Sequence, residues 1–249
     1  MPATPADSLL ERLRQARGRA GLFLDFDGTL SDIVARPELA EPAPGALGVL
    51  ARLTHRFAVV AVVSGRSAED LHRLLPVPGV EMFGLYGIAE DAPSPSIQAA
   101  RDEVEAVARG VKGAWVDDKR VSLAVHYRAA EDVGSAGKTL SDALGRVAER
   151  HGLELLAAKM ALELVPSGTP GKGSVIVSEQ RQRDLQACLY AGDDMADLSA
   201  FLGLDELAGR GVLTVKVAVR SAETPDELES RADIVVEWPA GLVKLLSGL

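Results

Sequence analysis

Asp25 and Asp27 stand two residues apart in the string Leu24-Asp25-Phe26-Asp27-Gly28-Thr29-Leu30. On an extended chain, residues i and i+2 project to the same side. Two carboxylates so placed suit a nucleophile and a proton carrier. Asp25 can attack phosphorus, and Asp27 can protonate the departing oxygen and later take a proton from water. Gly28 allows a sharp exit from the strand, and the amides beyond it can bind an anion. An Asp-x-Asp pair alone is more often a polar strand-end turn or a helix cap. Here an apolar run, Leu22 to Leu24, precedes it, and the full string favours chemistry. A hard cation such as Mg²⁺ would neutralise the crowded oxygens.

Three further clusters join this pair. Ser64-Gly65-Arg66 closes the apolar run Phe57 to Val63. A hydroxyl and a backbone amide there can hold a phosphate oxygen, although a lone Ser64 would read as a strand end or cap. Gly171-Lys172-Gly173 opens a helix, where Lys172 can pair with both Asp25 and a phosphate. It is not a P-loop, because glycine rather than Ser or Thr follows the lysine. Gly137-Lys138-Thr139 lacks the required first glycine and reads as a helix start, so nucleotide binding is discarded. Gly192-Asp193-Asp194 follows another short strand, with Asp197 one turn beyond. Asp193 is the expected metal ligand. Asp194 and Asp197 are candidates to bind the ion or to hold a ligand in place. The plainer alternative is a set of acids favoured by a helix dipole, but three acids without a basic neighbour would repel unless a cation relieved them.

The elements that must position these groups alternate between buried strand, polar turn and helix. Helices are expected over 8–19, 44–56 and 67–75, and strands over 22–24, 57–63 and 81–86. This is the pattern of a parallel α/β sheet, in which ligands bind beyond the carboxyl ends of the strands. From Ala92 the pattern changes to helix (97–109), hairpin (114–116 with 121–127), helix (135–151) and hairpin (153–157 with 160–165). That order suggests an inserted, antiparallel α+β domain. After the linker Pro166–Gly173 the parallel pattern resumes, with helices over 174–183 and 195–202 and strands over 187–190, 212–219 and 234–236. The expected organisation is a Rossmann-like parallel-sheet core, 1–94 and 167–249, with a smaller α+β cap at 95–166.

The 249 residues include 27 basic and 36 acidic side chains, for a net charge of −9. That balance argues against nucleic acid or an anionic membrane as the main partner, while leaving room for a local pocket for a small anion. One cysteine, Cys188, forms no internal disulfide, and four scattered histidines lack metal-ligand spacing. No apolar run approaches the ~20 residues of a membrane span, and the N-terminus has no signal core. A cytoplasmic monomer acting on a small molecule is expected.

The ordered set DFDGT, VVSGR, GKG and AGDDMAD resembles the four motifs of the haloacid dehalogenase-like phosphatases. More narrowly it is similar to the trehalose-6-phosphate phosphatase family, through FLDFDGTLSDIV, GLYGIAE, KRVSLAVHYR and LELVPSGTPGKG. The resemblance runs from Gly21 to Phe201. It implies a mobile cap between the second and third motifs, Mg²⁺ as cofactor and an aspartyl-phosphate intermediate. It makes Asp25 the nucleophile and a metal ligand. Asp27 becomes the general acid and base, with its carbonyl on the metal. Ser64 and Lys172 hold phosphate and Asp193 binds the metal, while Gly65 and Arg66 are further candidates to bind substrate and Asp194 a further metal candidate. In the cap strings Lys119, Ser122, His126, Arg128 and Glu163 are the polar positions expected to meet a sugar, and Glu90 belongs with them. Each also has a plain alternative: His126 and Arg128 as one exposed strand face, Lys119 as a turn charge, Glu163 paired with Lys159.

Three departures bear on specificity. Tyr86 replaces a usual histidine, Val165 replaces a usual arginine, and Leu198-Ser199-Ala200-Phe201 replaces the usual acids after AGDDMAD. None removes a group expected to do the chemistry. The readings are therefore a trehalose 6-phosphate phosphatase, a phosphatase of a related sugar or pseudo-disaccharide phosphate, a phosphomutase, or a sensor that binds without turnover.

Overall fold

Every residue of the first apolar run is buried, and it becomes an inner strand of the larger sheet. The computed structural model describes residues 4–34, 36–88 and 94–249. The chain divides into two compact units, one of Met1–Gly87 with Pro170–Leu249 and one of Ile88–Thr169.

The first unit begins with α1 (Pro5–Gln15), whose N-terminus is closed by a reciprocal pair between Thr4 and Asp7. β1 (Ala20–Leu24), α2 (Ala46–Leu53), β2 (Val59–Val63), α3 (Ala68–Leu74) and β3 (Val80–Phe83) follow. Ser67 caps α3 by accepting from the Asp70 N–H at 3.1 Å.

In the second unit α4 (Pro95–Arg109) precedes β4 (Trp115–Asp118) and β5 (Leu123–His126). α5 (Val133–His151), β6 (Leu153–Ala158) and β7 (Ala161–Pro166) complete it. The two expected hairpins merge into one antiparallel sheet ordered β4-β5-β7-β6. Leu123, Val125, Leu162 and Leu164 face α4 and α5 in a shared apolar core. The other face of this sheet carries Trp115, Asp117, Ser122, Ala124, His126 and Glu163, as the pairing register requires.

The chain returns to the first unit through α6 (Lys172–Arg183), β8 (Ala187–Gly192), α7 (Leu198–Gly209) and β9 (Leu213–Arg220). α8 (Asp226–Arg231), β10 (Ile234–Glu237) and α9 (Trp238–Ser247) end it. All six strands of the larger sheet run parallel in the order β10-β9-β8-β1-β2-β3. Leu22, Leu24, Val60 and Val62 pack with α1, α2 and α9 on one face. Phe23, Ala61, Val63 and Tyr190 pack with α6 and α7 on the other. Both faces are covered, which is why these strands read as unbroken apolar runs. Sequence order runs one way from β1 to β3 and the other way from β8 to β10, so the switch point lies between β1 and β8.

Three local expectations are corrected. The third strand stops at Phe83, because Leu85 (φ 47°) and Tyr86 (φ 59°) adopt the left-handed region and turn the chain. The helix expected over 195–202 is a 3-10 turn, Met195–Asp197, followed by the longer α7. α8 and α9 were not expected; α9 begins with Trp238-Pro239, a start signal that the preceding short strand obscures. Among the described residues, no helix is long and apolar enough to cross a membrane.

Candidate active site

Asp25 is the first residue beyond β1, and its N–H donates to Ala191 O on β8 at 2.9 Å. Parallel pairing sets Leu24 level with Ala191 and with Val62. The carboxyl ends of β8, β1 and β2 therefore lie side by side, carrying Asp193, Asp25 and Ser64. Beyond Asp25 the chain reverses tightly. Leu30 and Ser31 N–H both donate to Phe26 O, at 2.9 and 3.0 Å. Gly28 sits at φ 84°, and a Cβ there would collide with the Asp193 carboxylate. Glycine thus brings the loop after β1 against the acid after β8.

Lys172, at the start of α6, is buried between two carboxylates. Its Nζ donates to Asp25 Oδ1 at 2.7 Å and to Asp197 Oδ1 at 2.6 Å. Asp197 is fully committed. Tyr190 Oη donates to its Oδ1 at 2.6 Å, and the Asp193 and Asp194 N–H groups donate to its Oδ2 at 2.8 and 2.9 Å. It therefore ties the loop after β8 to α6. Thr29 Oγ1 donates to Asp193 Oδ1 at 3.3 Å.

Asp25, Asp193 and Asp197 bring their carboxylates within 4.8 Å of one another, all buried. Lys172 supplies one positive charge. Burial pushes the Asp25 pKa up, against the pull of Lys172 and with the push of Asp197, to about 7. Burial alone would lower the Lys172 pKa, but Asp197 and Asp25 outweigh it and hold the ammonium charged. Burial would raise Asp197, but Lys172 outweighs it and keeps that carboxylate ionised. Hard carboxylate oxygens clustered this closely fit a divalent cation. Asp194 lies outside this cluster, its carboxylate accepting from the Met195 N–H at 2.6 Å as a cap.

Ser64 is buried, and its Oγ accepts from the Arg66 N–H at 3.2 Å. The left-handed turn grips this segment: Tyr86 N–H donates to Ser64 O at 3.0 Å and Leu85 N–H to Arg66 O at 2.8 Å. The Tyr86 ring stands over Gly65, where a Cβ would lie 2.7 Å from the hydroxyl. Arg66 grips Asp27 through two bonds of 2.7 Å.

The second unit holds a separate polar cluster. Lys119 Nζ and Ser122 Oγ donate to Glu163 Oε1 at 2.9 and 2.7 Å, with Glu163 and Ser122 buried. His126 stacks on the partly exposed Trp115, ring centroids 4.3 Å apart. Arg128 is half-buried just beyond β5. Glu90 lies outside the described residues.

A family model described as Trehalose-phosphatase matches residues 23–234. The chain belongs to the trehalose-phosphatase family. A trehalose-phosphate phosphatase of Mycobacterium avium is 36% identical across 85% of this chain and 58% of that protein. An uncharacterized glycosyl hydrolase of Mycobacterium tuberculosis is 34% identical across 97% of this chain but only 19% of its own length. The chain thus spans about half, or less, of the curated relatives it matches. Among solved structures, the C-terminal domain of the C. albicans trehalose-6-phosphate phosphatase aligns over 100% of this chain and 98% of that one, with 22% identity and a TM-score of 0.83. A trehalose-6-phosphate phosphatase related protein aligns at TM-score 0.71 and 24% identity, covering 92% and 96%. Both support the fold, a parallel α/β core together with a small antiparallel sheet.

The sequence favours Asp194 over Asp197 as a metal candidate and does not single out Tyr190, whereas Asp197 is the one that lies with Asp25 and Asp193. The spacing of Asp197, one turn past Asp193, was the available signal. Tyr190 gave none, because an inner-strand tyrosine reads as core.

Proposed function

We propose that this trehalose-phosphatase family chain is a Mg²⁺-dependent phosphatase that releases phosphate from trehalose 6-phosphate through an aspartyl-phosphate intermediate. The observation that carries the reading is Asp25, buried at the switch point, held by Lys172 and set with oxygens of Asp193 and Asp197 within 4.8 Å of one another. Asp25 and Asp193, with the Asp27 carbonyl, would hold Mg²⁺. When bound, the ion neutralises charge on the phosphoryl oxygens. An Asp25 oxygen attacks phosphorus, and Asp27 gives a proton to the departing sugar oxygen. Asp27 then takes a proton from the water that cleaves the aspartyl phosphate. Ser64 and the Gly65 amide receive the phosphoryl oxygens, while Lys172 keeps Asp25 aimed.

The Lys119–Ser122–Glu163 cluster, with His126 and Arg128, supplies the donors and acceptors that a hydroxyl-rich sugar requires. A second reading, a phosphatase of a related sugar phosphate, is favoured by the Tyr86 phenol beside the Ser64–Arg66 segment. The test is phosphate release with Mg²⁺ across trehalose 6-phosphate, glucose 6-phosphate and sucrose 6-phosphate. Preference for trehalose 6-phosphate supports the first reading, and preference for another sugar supports the second.

A further inference from the structure

Arg66 is buried, yet its guanidinium points at a carboxylate that stays 42% exposed. Nε donates to Asp27 Oδ2 and Nη2 to Asp27 Oδ1, each at 2.7 Å. This edge of the fork is spent on Asp27. The guanidinium also lies 5.2 Å from the centroid of the Phe26 ring. Its backbone is pinned on both sides, by Ser64 Oγ on the N–H and by the Leu85 N–H on the carbonyl. Asp27 pairs with a group that is itself rigidly held.

We propose that Arg66 is a positioning residue for proton transfer at Asp27. The proposal rests on the reading of Asp27 as general acid and base given above. A guanidinium suits the task, because it stays protonated and presents parallel donors in fixed geometry. In the first half-reaction the Asp25 oxygen–phosphorus bond forms and the bond from phosphorus to the alcohol oxygen breaks. The electron pair passes to that oxygen, and the Asp27 proton follows it. Asp27 is then a carboxylate and accepts two bonds from Arg66, the geometry seen. In the second half-reaction a water oxygen bonds to phosphorus, the Asp25 oxygen leaves with its electron pair, and a water proton passes to Asp27. The protonated acid still offers one oxygen to the fork. Arg66 therefore holds one side-chain orientation through both halves of the cycle.

The test compares leaving groups. An alkoxide leaves poorly without a proton, whereas p-nitrophenolate leaves without one. kcat/KM is measured for trehalose 6-phosphate (or whichever sugar phosphate is turned over best) and for p-nitrophenyl phosphate. Arg66→Gln should lower the sugar-phosphate value by about ten- to hundredfold, the scale of a misplaced general acid, and leave the aryl value nearly unchanged. Arg66→Lys, whose point charge serves one oxygen, should recover part of the loss. Retained aryl hydrolysis also reports that the variants fold. An equal loss on both substrates would make Arg66 a phosphate ligand or a structural residue and overturn the proposal, as would no loss on either. Asp27→Asn is the control. If it discriminates between leaving groups and the Arg66 variants do not, only the proposal for Arg66 falls. If Asp27→Asn does not discriminate, the reading of Asp27 falls, and the proposal with it.

Discussion

Lys172 Nζ bonds two of the three buried carboxylates clustered beyond β1 and β8, and their burial makes the site responsive to pH. The folded-state pKa of Asp25 is raised from 3.8 to about 7, chiefly by burial. Its ionisation therefore costs the fold stability as pH rises through that window. Asp25→Asn should abolish turnover. It should also raise the melting temperature of the metal-free protein at about pH 8 by several degrees, and leave it unchanged at about pH 3, where both side chains are neutral. Calorimetry in a chelator checks both arms. Lys172→Met acts in the opposite direction. It strands Asp25 and Asp197 without their counter-charge, and breaking such a buried pair costs about 3–5 kcal/mol, readable by urea unfolding. Tyr190→Phe removes one donor from Asp197 while Lys172 and two N–H groups remain, for a loss of about 1 kcal/mol.

At the scale of elements, the site depends on close approach between α6 and α7. A Cβ on Gly173 would collide with the carbonyl of Ser199, the second residue of α7. Gly173→Ala should cost about 1–3 kcal/mol by overpacking and reduce kcat by moving its neighbour Lys172, as denaturation and steady-state kinetics would show. Much of this scaffold was legible in the sequence for physical reasons. β1 and β2 are covered on both faces, so they read as apolar runs, and Asp25 and Ser64 follow them directly. The cap on α3 was legible because Ser67 and Asp70 form a local pattern. What stayed hidden depends on contacts distant in sequence. Which acid after β8 turns inward is decided by the Met195–Asp197 turn together with Lys172 and Tyr190. The left-handed Leu85 and Tyr86 carry no glycine to announce them. The merger of two hairpins into one sheet is set by the β5–β7 pairing, which no local signal encodes.

For the molecule as a whole, the proposed function gives the chemistry to the first unit and sugar recognition to the second. Glu163→Gln should then raise KM for a sugar phosphate while p-nitrophenyl phosphate hydrolysis stays nearly constant, because an aryl phosphate does not use the Lys119–Ser122–Glu163 cluster. Cation removal should act on the other unit and silence both substrates together. The most direct measurement is phosphate release from trehalose 6-phosphate by the purified protein with Mg²⁺, beside a chelator-treated sample and Asp25→Asn. Rapid release that vanishes in both controls is the predicted result. Release that survives Asp25→Asn, or silence with trehalose 6-phosphate in the presence of Mg²⁺, would contradict the account.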